Sequence, residues 1–482
     1  RDWQGVSEVF TLPRDFWKSS LEPVIARFSS NVHDWQLGGD NDTSFRGLAT
    51  LPTTVGTVRQ EIQRISMIAR VGIPWNAKDA VPPTVPVSFL SLTRGADTEA
   101  NSDSGKAVTR RMSAWETIRL ADLPDKDIST RASALAQALI NAKVRKAPAI
   151  FATDIFHPRS GLLQPNGAPA ELFLAWRTAT LALQNSEYIG SFILPKGTPN
   201  AVFAREGEAI VAIWNDTPVS ESLYFGDQPY TLDLWGQRTP LRIDAKTGEQ
   251  IVDAGPLPTF IRGGLEAVAR WRIAAQFEQG RMKSEYGDHR DSIIGTNTFP
   301  QGVSGKMTLT LPNEWEADVR EWPIQIAAGE AFRLPVYIKL PQNARLGSQM
   351  TILDFDIVSD RPRRFRVYRP YHVGTDDVTI QVVENELPDG GLEIEQIVVN
   401  RTSPPEVLDF RCTLFVPGDR RQKLIVTKLG QGEDHKFYRL PNTERLKGKT
   451  LWLRLEQDGG RRILNYQWTI GGSANAPPTA GS

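Results

Sequence analysis

The sequence predicts a multidomain chain in which a partial parallel β/α domain is followed by about three antiparallel β-sandwich or Ig-like domains. Three observations carry that expectation. The chain has 482 residues, too many for one ordinary domain. Up to residue 195, apolar residues alternate between helical spacing and short β-rich runs. Beyond residue 195 the period becomes two, with turn residues between short runs.

The first region reads element by element. In "DFWKSSLEPVIARFSS" the residues Phe16, Trp17, Leu21, Val24, Ile25 and Phe28 recur at helical spacing, and the strand-like "VHDWQL" follows. Val58, Ile62 and Ile65 mark a second helix, leading into the strand "ARVGIPW" (69–75). "TVPVSFLSL" (84–92) is rich in β-formers, although 76–83 is too short and proline-rich for a crossover helix. Val108, Met112, Trp115 and Ile118 predict another helix. "DISTRASALAQALINAKV" predicts a helix capped by Ser129 or Thr130, running into "APAIFATD" (147–154). "AELFLAWRTATLALQ" (170–184) is the last helix and precedes the strand "EYIGSFIL" (187–194). Strands alternating with amphipathic helices mean a parallel sheet. About five strands fit, whereas a whole (β/α)8, TIM-type barrel needs about 250 residues. Residues 1–195 therefore read as the C-terminal portion of such a barrel.

The rest divides into a β-sandwich over 196–276, a polar linker over 277–305, an Ig-like sandwich over 306–374 and a second over 375–470. The tail 471–482, "GGSANAPPTAGS", is expected to be disordered. Lys+Arg and Asp+Glu balance at 56 each, which argues against a nucleic-acid or anionic-membrane partner. The clusters "RPRRFR" (361–366) and "GDRRQK" (418–423) are expected as solvated strand ends. A single cysteine, Cys412, excludes a disulfide framework and a cysteine metal site, and reads as a small buried hydrophobe. No apolar stretch approaches the ~20 residues of a membrane span. A start at Arg-Asp-Trp, without methionine, implies a processed product or a piece of a longer protein.

The join between the first two regions resembles that of glycoside hydrolases of the large retaining superfamily. The residues that carry the resemblance are "FHPRSGLLQPNGAPAELFLAWRTATLAL", "EYIGSFILP", "AVFAREGEAIVAIWND" and the turn Asp233-Leu234-Trp235-Gly236. "GPLPTFIRG" is similar to the last strand of their sandwich, and "EWPIQIAAGEAFRLPVYIKLPQNARLGSQMTILDF" resembles the Ig-like domain appended to some α-galactosidases. The whole assembly also resembles large exported proteins of planctomycete-type bacteria. The resemblance implies a carbohydrate partner and a secreted, periplasmic or cell-surface location. Counted back from "EYIGSFIL" as the eighth barrel strand, "APAIFATD" is the seventh and "VHDWQL" the fourth. The superfamily keeps its acid/base and nucleophile glutamates at the ends of the fourth and seventh strands. Here those ends carry Asp40 and Asp42, and Asp154.

Glycoside hydrolysis needs two carboxyls about 5–5.5 Å apart for retention or about 6.5–9.5 Å for inversion. Aspartate is a methylene shorter than glutamate, so these replacements point to an altered or degenerate site. Asp40 and Asp42 equally fit a turn after Gly38-Gly39. A calcium loop is the weakest reading, because Phe45 stands where an EF-hand requires glycine and Leu51 where it requires glutamate. No metal or other cofactor is expected. His157, three residues past Asp154, is either an acid/base partner or a residue orienting its loop. Trp35 and Trp75 are candidate sugar platforms, with core packing as the alternative. Two functions remain: a glycoside-hydrolase-like protein acting on or binding a polysaccharide, and a non-catalytic exported surface or scaffold protein. In either, a missing N-terminal segment or a partner chain is expected to complete the barrel.

Overall fold

The structure is a computed structural model, and it describes residues 5–76, 79, 85–95, 113–120, 127–375, 377–441 and 443–471. The chain forms two compact units, Arg1–Ala269 and Arg270–Ser482.

The first unit opens with helices α1 (Val6–Phe10) and α2 (Arg14–Phe28). Then come β1 (Asp34–Gln36), α3 (Leu51–Ile65), β2 (Arg70–Asn76), β3 (Phe89–Gly95), β4 (Ser113–Arg119), α4 (Ile128–Val144), β5 (Ile150–Ala152) and α5 (Glu171–Leu183). The five strands pair in chain order, each parallel to the next. Parallel strands laid side by side in sequence send their connections to one face of the sheet. On that face Val71, Ile73, Trp75, Leu90 and Leu92 share a buried core with Trp17 and Ile25 of α2 and Val55, Val58 and Ile62 of α3. The other face carries Phe89 stacked on Trp115 at 3.7 Å, with Phe151 beyond at 5.2 Å. The result is an open half-barrel sheet among the described residues, without closure to a full barrel.

The strand count matches the expectation, but two of its members differ. Trp115 and Ile118 lie on β4 and not on a helix; Val108 and Met112 fall outside the described residues. The spacing misleads because Glu116 interrupts the apolar alternation while itself being buried, 4% exposed, and bound twice by the Arg145 guanidinium. The start of "EYIGSFIL" forms β6 (Glu187–Gly190), which leaves the parallel sheet and pairs antiparallel with β7 (Asn200–Arg205). Helix α4 is capped by Asp127, whose carboxylate accepts from the Thr130 amide at 3.0 Å, and not by Ser129 or Thr130.

β6 and β7 belong to a six-stranded sheet with β8 (Glu208–Ile213), β10 (Tyr230–Leu232), β11 (Arg238–Pro240) and β14 (Thr259–Leu265). A three-stranded sheet of β9 (Val219–Leu223), β12 (Arg242–Ile243) and β13 (Gln250–Ala254) completes this sandwich. The Asp233–Gly236 turn is closed by the Asp233 carboxylate, which accepts from the amides of Trp235 at 3.0 Å and Gln237 at 2.8 Å. Phe203, Ile210 and Phe260 of the six-stranded sheet join Leu135 and Leu139 of α4 and Ala175 and Ala179 of α5 in one buried core.

In the second unit, the expected linker 277–305 is built into sheets. Its central strand, Gly287–Thr296, pairs over ten residues with the strand Ala331–Leu340. The stretch reads as polar because its polar groups are buried as anchors. Asp291, 2% exposed, accepts from the Tyr371 hydroxyl at 2.7 Å and from the amides of Gln279, Gly280 and Ser292. The last sandwich pairs a sheet of the strands Val378–Glu386, Leu392–Asn400 and Gly432–Leu440 with a four-stranded one. Its core contains Cys412, 1% exposed, whose thiol burial pushes up to about 11, so it packs as a hydrophobe. Tail residues 472–482 lie outside the described residues.

Candidate functional site

In open parallel sheets the strands' C-terminal ends deliver polar groups to a common edge. Here a cleft at that edge is lined from β1 by Asp40, Asn41, Asp42, Thr43 and Arg46, and from β2 by Pro74, Trp75, Asn76 and Asp79. Thr93 from β3 and Arg119 from β4 complete it. The "GGDNDTSF" loop reaches across the sheet: the Asp40 carbonyl accepts from the Thr93 hydroxyl at 2.7 Å, and its carboxylate accepts from Gln36 Nε2 at 2.9 Å. Arg46 and Asp79 close one wall as an ion pair at 3.1 Å. The cleft measures about 50 Å³, well below the roughly 300–1,000 Å³ of a site that engulfs a small ligand.

Asp42 stands in this wall as a fastener. Its Oδ2 accepts from the Val6 amide at 2.9 Å and its Oδ1 from the Ser44 amide at 2.8 Å, while Ser44 Oγ accepts from the Ser7 amide. The loop side chains thus satisfy the first amides of α1, which has no side-chain cap of its own. Burial pushes the Asp42 carboxyl up, but hydrogen bonds from Ser44 and from the Val6 amide outweigh it and hold it below the ordinary aspartate range. An acid held ionised with both oxygens engaged is a poor proton donor.

Asp154 follows β5, at the opposite edge of the sheet from β1. Four strand spacings separate the two edges, roughly 19 Å if flat and less where the sheet curls. Asp154 is exposed and does not line the cleft. It adopts a left-handed φ of 48° in a tight turn, with its carbonyl accepting from the His157 amide at 2.7 Å. His157 Nδ1 accepts from the Ser160 amide at 3.2 Å and lies 2.8 Å from the Ser160 hydroxyl. That contact places the neutral ring's proton on Nε2 and makes His157 an organiser of its own loop. Gly161 lets the loop close, since a Cβ there would stand 2.6 Å from the carbonyls of Ile155 and His157.

Trp75 is 8% exposed, with its ring in the core and its Nε1 donating to the Asp79 carbonyl at 3.4 Å. Trp35 packs against the same core from β1. Trp35 is half-buried, and Trp75 lines the cleft while its ring packs in the core. The structure thus brings Asp40, Asp42 and Trp75 to one place and leaves Asp154 and His157 at another. Sequence reasoning missed Arg46, Asn76, Asp79, Thr93 and Arg119. For Asn76 and Thr93 the signal was present, since both close the β-rich runs that precede them. Arg119 was hidden by the misread strand β4.

Among the described residues, no group of three or more His, Cys, Asp and Glu is arranged to hold a metal ion. No helix among them is long and apolar enough to cross a membrane.

No family model matches the chain, and no curated protein matches it. Among solved structures, a glycosyl hydrolase family 2 member from Bacteroides cellulosilyticus is similar at 10% identity and a TM-score of 0.25, covering 94% of this chain and 51% of that one. An α-amylase from H. orenii is similar at 10% identity and a TM-score of 0.32, covering 53% of this chain and 65% of that one. Red sea bream transglutaminase is similar at 12% identity and a TM-score of 0.24, covering 49% of this chain and 39% of that one. The chain therefore spans 39% to 65% of the length of these structures. At such TM-scores the likeness fixes neither fold nor activity.

Proposed function

We propose that the chain is a glycoside-hydrolase-like protein that binds a carbohydrate without cleaving it, and that it works outside the cytoplasm in a secreted, periplasmic or cell-surface setting. The observation that carries the non-catalytic half is the placement of Asp40 and Asp154 at opposite edges of one five-stranded sheet. Asp154 does not line the cleft that holds Asp40, whereas hydrolysis needs both carboxyls in one site. The carbohydrate half rests on the sequence resemblance and on the cleft's lining of Asp40, Asn41, Asn76, Thr93 and Arg119. Carboxylates, amides and guanidinium groups are the planar partners that sugar hydroxyls hydrogen-bond. The small cleft volume fits the end or edge of a glycan and not an engulfed oligosaccharide.

Affinity electrophoresis against a panel of soluble polysaccharides tests the binding half. The expected outcome is retardation by at least one polysaccharide, reduced by Asn76→Ala. Unchanged mobility in every gel overturns it. The second reading, a surface or scaffold protein, is favoured by the two tandem sandwiches of the second unit. It predicts that unchanged mobility.

A further inference from the structure

We infer that the last sandwich binds an acidic polysaccharide, one with carboxylates on its sugar rings, on the outer face of its four-stranded sheet. That sheet orders the strands Gln422–Leu429, Leu408–Phe415, Thr450–Gln457 and Ile463–Thr469. Cys412, Leu414, Leu453 and Leu455 point into the core. The residues between them therefore face outward. Two rows cross the sheet there. In one, Phe415 stands opposite Trp452, and Arg421 comes up on the other side of Phe415, just before the edge strand. In the next, Lys423, Thr413 and Arg454 lie side by side. The far margin of the face is closed, because Asn465, 1% exposed, donates to the carbonyls of Gln342 and Ala344 at 2.9 Å each. The margin with Arg421 and Lys423 is open, and both side chains are exposed.

The rings hold the cations. Phe415 is stacked on Trp452 at 4.8 Å and has the Arg421 guanidinium 4.7 Å from its centre. Arg454 lies 4.5 Å from the Trp452 centre, donates through Nε to Asn465 at 3.0 Å and has Glu456 at 3.7 Å. A guanidinium stacked on a ring is held in place while the N–H groups at its edge stay available. That edge matches the two oxygens of a carboxylate. Among the described residues, the Arg421 and Lys423 side chains have no carboxylate partner, whereas Arg411 pairs with Asp458 at 3.6 Å. The face thus keeps a local positive surplus, although the charges of the whole chain balance at 56 each, and its complement is an anion. Lys423 and Arg454 stand two strands apart, roughly 10 Å. One small anion cannot join them, but a chain of charged sugars can, with the Thr413 hydroxyl between the cations to meet a sugar hydroxyl. A single-stranded nucleic acid fits less well, since it binds by stacking bases on rings. Phe415 is taken by Trp452 on one side and Arg421 on the other. This face belongs to the second unit and stands apart from the cleft of the first.

Affinity electrophoresis of the 482-residue chain in gels containing polygalacturonate, neutral dextran or single-stranded DNA tests this inference. The variant is Arg421→Gln with Lys423→Gln, and the charge control is Arg242→Gln with Lys246→Gln, two exposed cations of the first unit. All four positions are exposed, so far-UV circular dichroism and melting temperature are expected to stay at the wild-type values. The expected result is retardation by polygalacturonate and not by dextran. The dissociation constant is expected to rise about tenfold in the variant, and its salt slope to fall by about 1 for each cation removed, while the control binds as wild type does. No retardation by polygalacturonate overturns the inference, as does equal retardation by dextran or a variant that binds as the control does. Tighter retention by single-stranded DNA overturns the choice of a glycan. Polygalacturonate binding that Asn76→Ala abolishes and the variant keeps also overturns it, while leaving the reading of the cleft in place.

Discussion

Asp42 shows how a residue with the credentials of a catalytic acid can be consumed by structure. Its two oxygens hold the Val6 and Ser44 amides, and through them the start of α1 against the loop that follows β1. Replacing it with alanine leaves those amides without partners, a loss of about 1 kcal/mol by analogy with helix caps. Urea denaturation is expected to show that loss for Asp42→Ala. The sign of the pH dependence follows from the lowered carboxyl. Its stabilisation is fully present above the ordinary aspartate value near 3.8 and is lost as the pH falls through the folded value beneath it. The gap between wild type and Asp42→Asn is therefore expected to be constant at neutral pH and to close only in strong acid. A gap that closes between pH 5 and 7 contradicts the assignment. For this loop the sequence showed the place, a strand end with two aspartates, but not the employment of each carboxylate. Its partners Val6 and Ser7 lie far away in the chain and carry no side-chain signal.

Among the elements, long helices were legible and buried polar strands were not. The apolar periodicity of α3 and α5 identified them directly, whereas β4 was disguised by Glu116 and the strand Gly287–Thr296 by Asp291 and its neighbours. In both cases a polar residue is interior because a distant group satisfies it, Arg145 for Glu116 and Tyr371 for Asp291. Pattern reading assigns such residues to the surface, since their partners are set by tertiary structure. The helix-free face of the half-barrel depends instead on a close fit between strands. The Phe89 ring lies against Gly72, where an added Cβ would stand 2.2 Å from it, and against Trp115 at 3.7 Å. Phe89, 1% exposed, is expected to cost about 3–5 kcal/mol as Phe89→Ala, measured by chemical denaturation of the first unit's transition. Gly72→Ala is expected to destabilise as well, although it adds apolar volume, because the ring has nowhere to move without losing its stack. If Gly72→Ala is neutral, the ring is not held there.

At the scale of the molecule, β6 decides what the chain can be. Its backbone pairs with β7, so the parallel sheet ends at β5 and the sandwich takes the strand that the barrel reading assigned to it. The count of five strands came out right because the missed β4 offset the misplaced β6. Counting back from the barrel's end therefore assigned strand positions that the fold does not keep. What survives is a polar edge with Asp40 at one side and Asp154 at the other, joined to the first unit's sandwich through the core of α4 and α5. Reducing-sugar release from a broad polysaccharide panel, measured against a protein-free blank, tests that account most directly. The expected result is no release above the blank by the wild-type chain. Release that Asp40→Asn and Asp154→Asn each abolish would contradict it, because two carboxyls must then meet in one site.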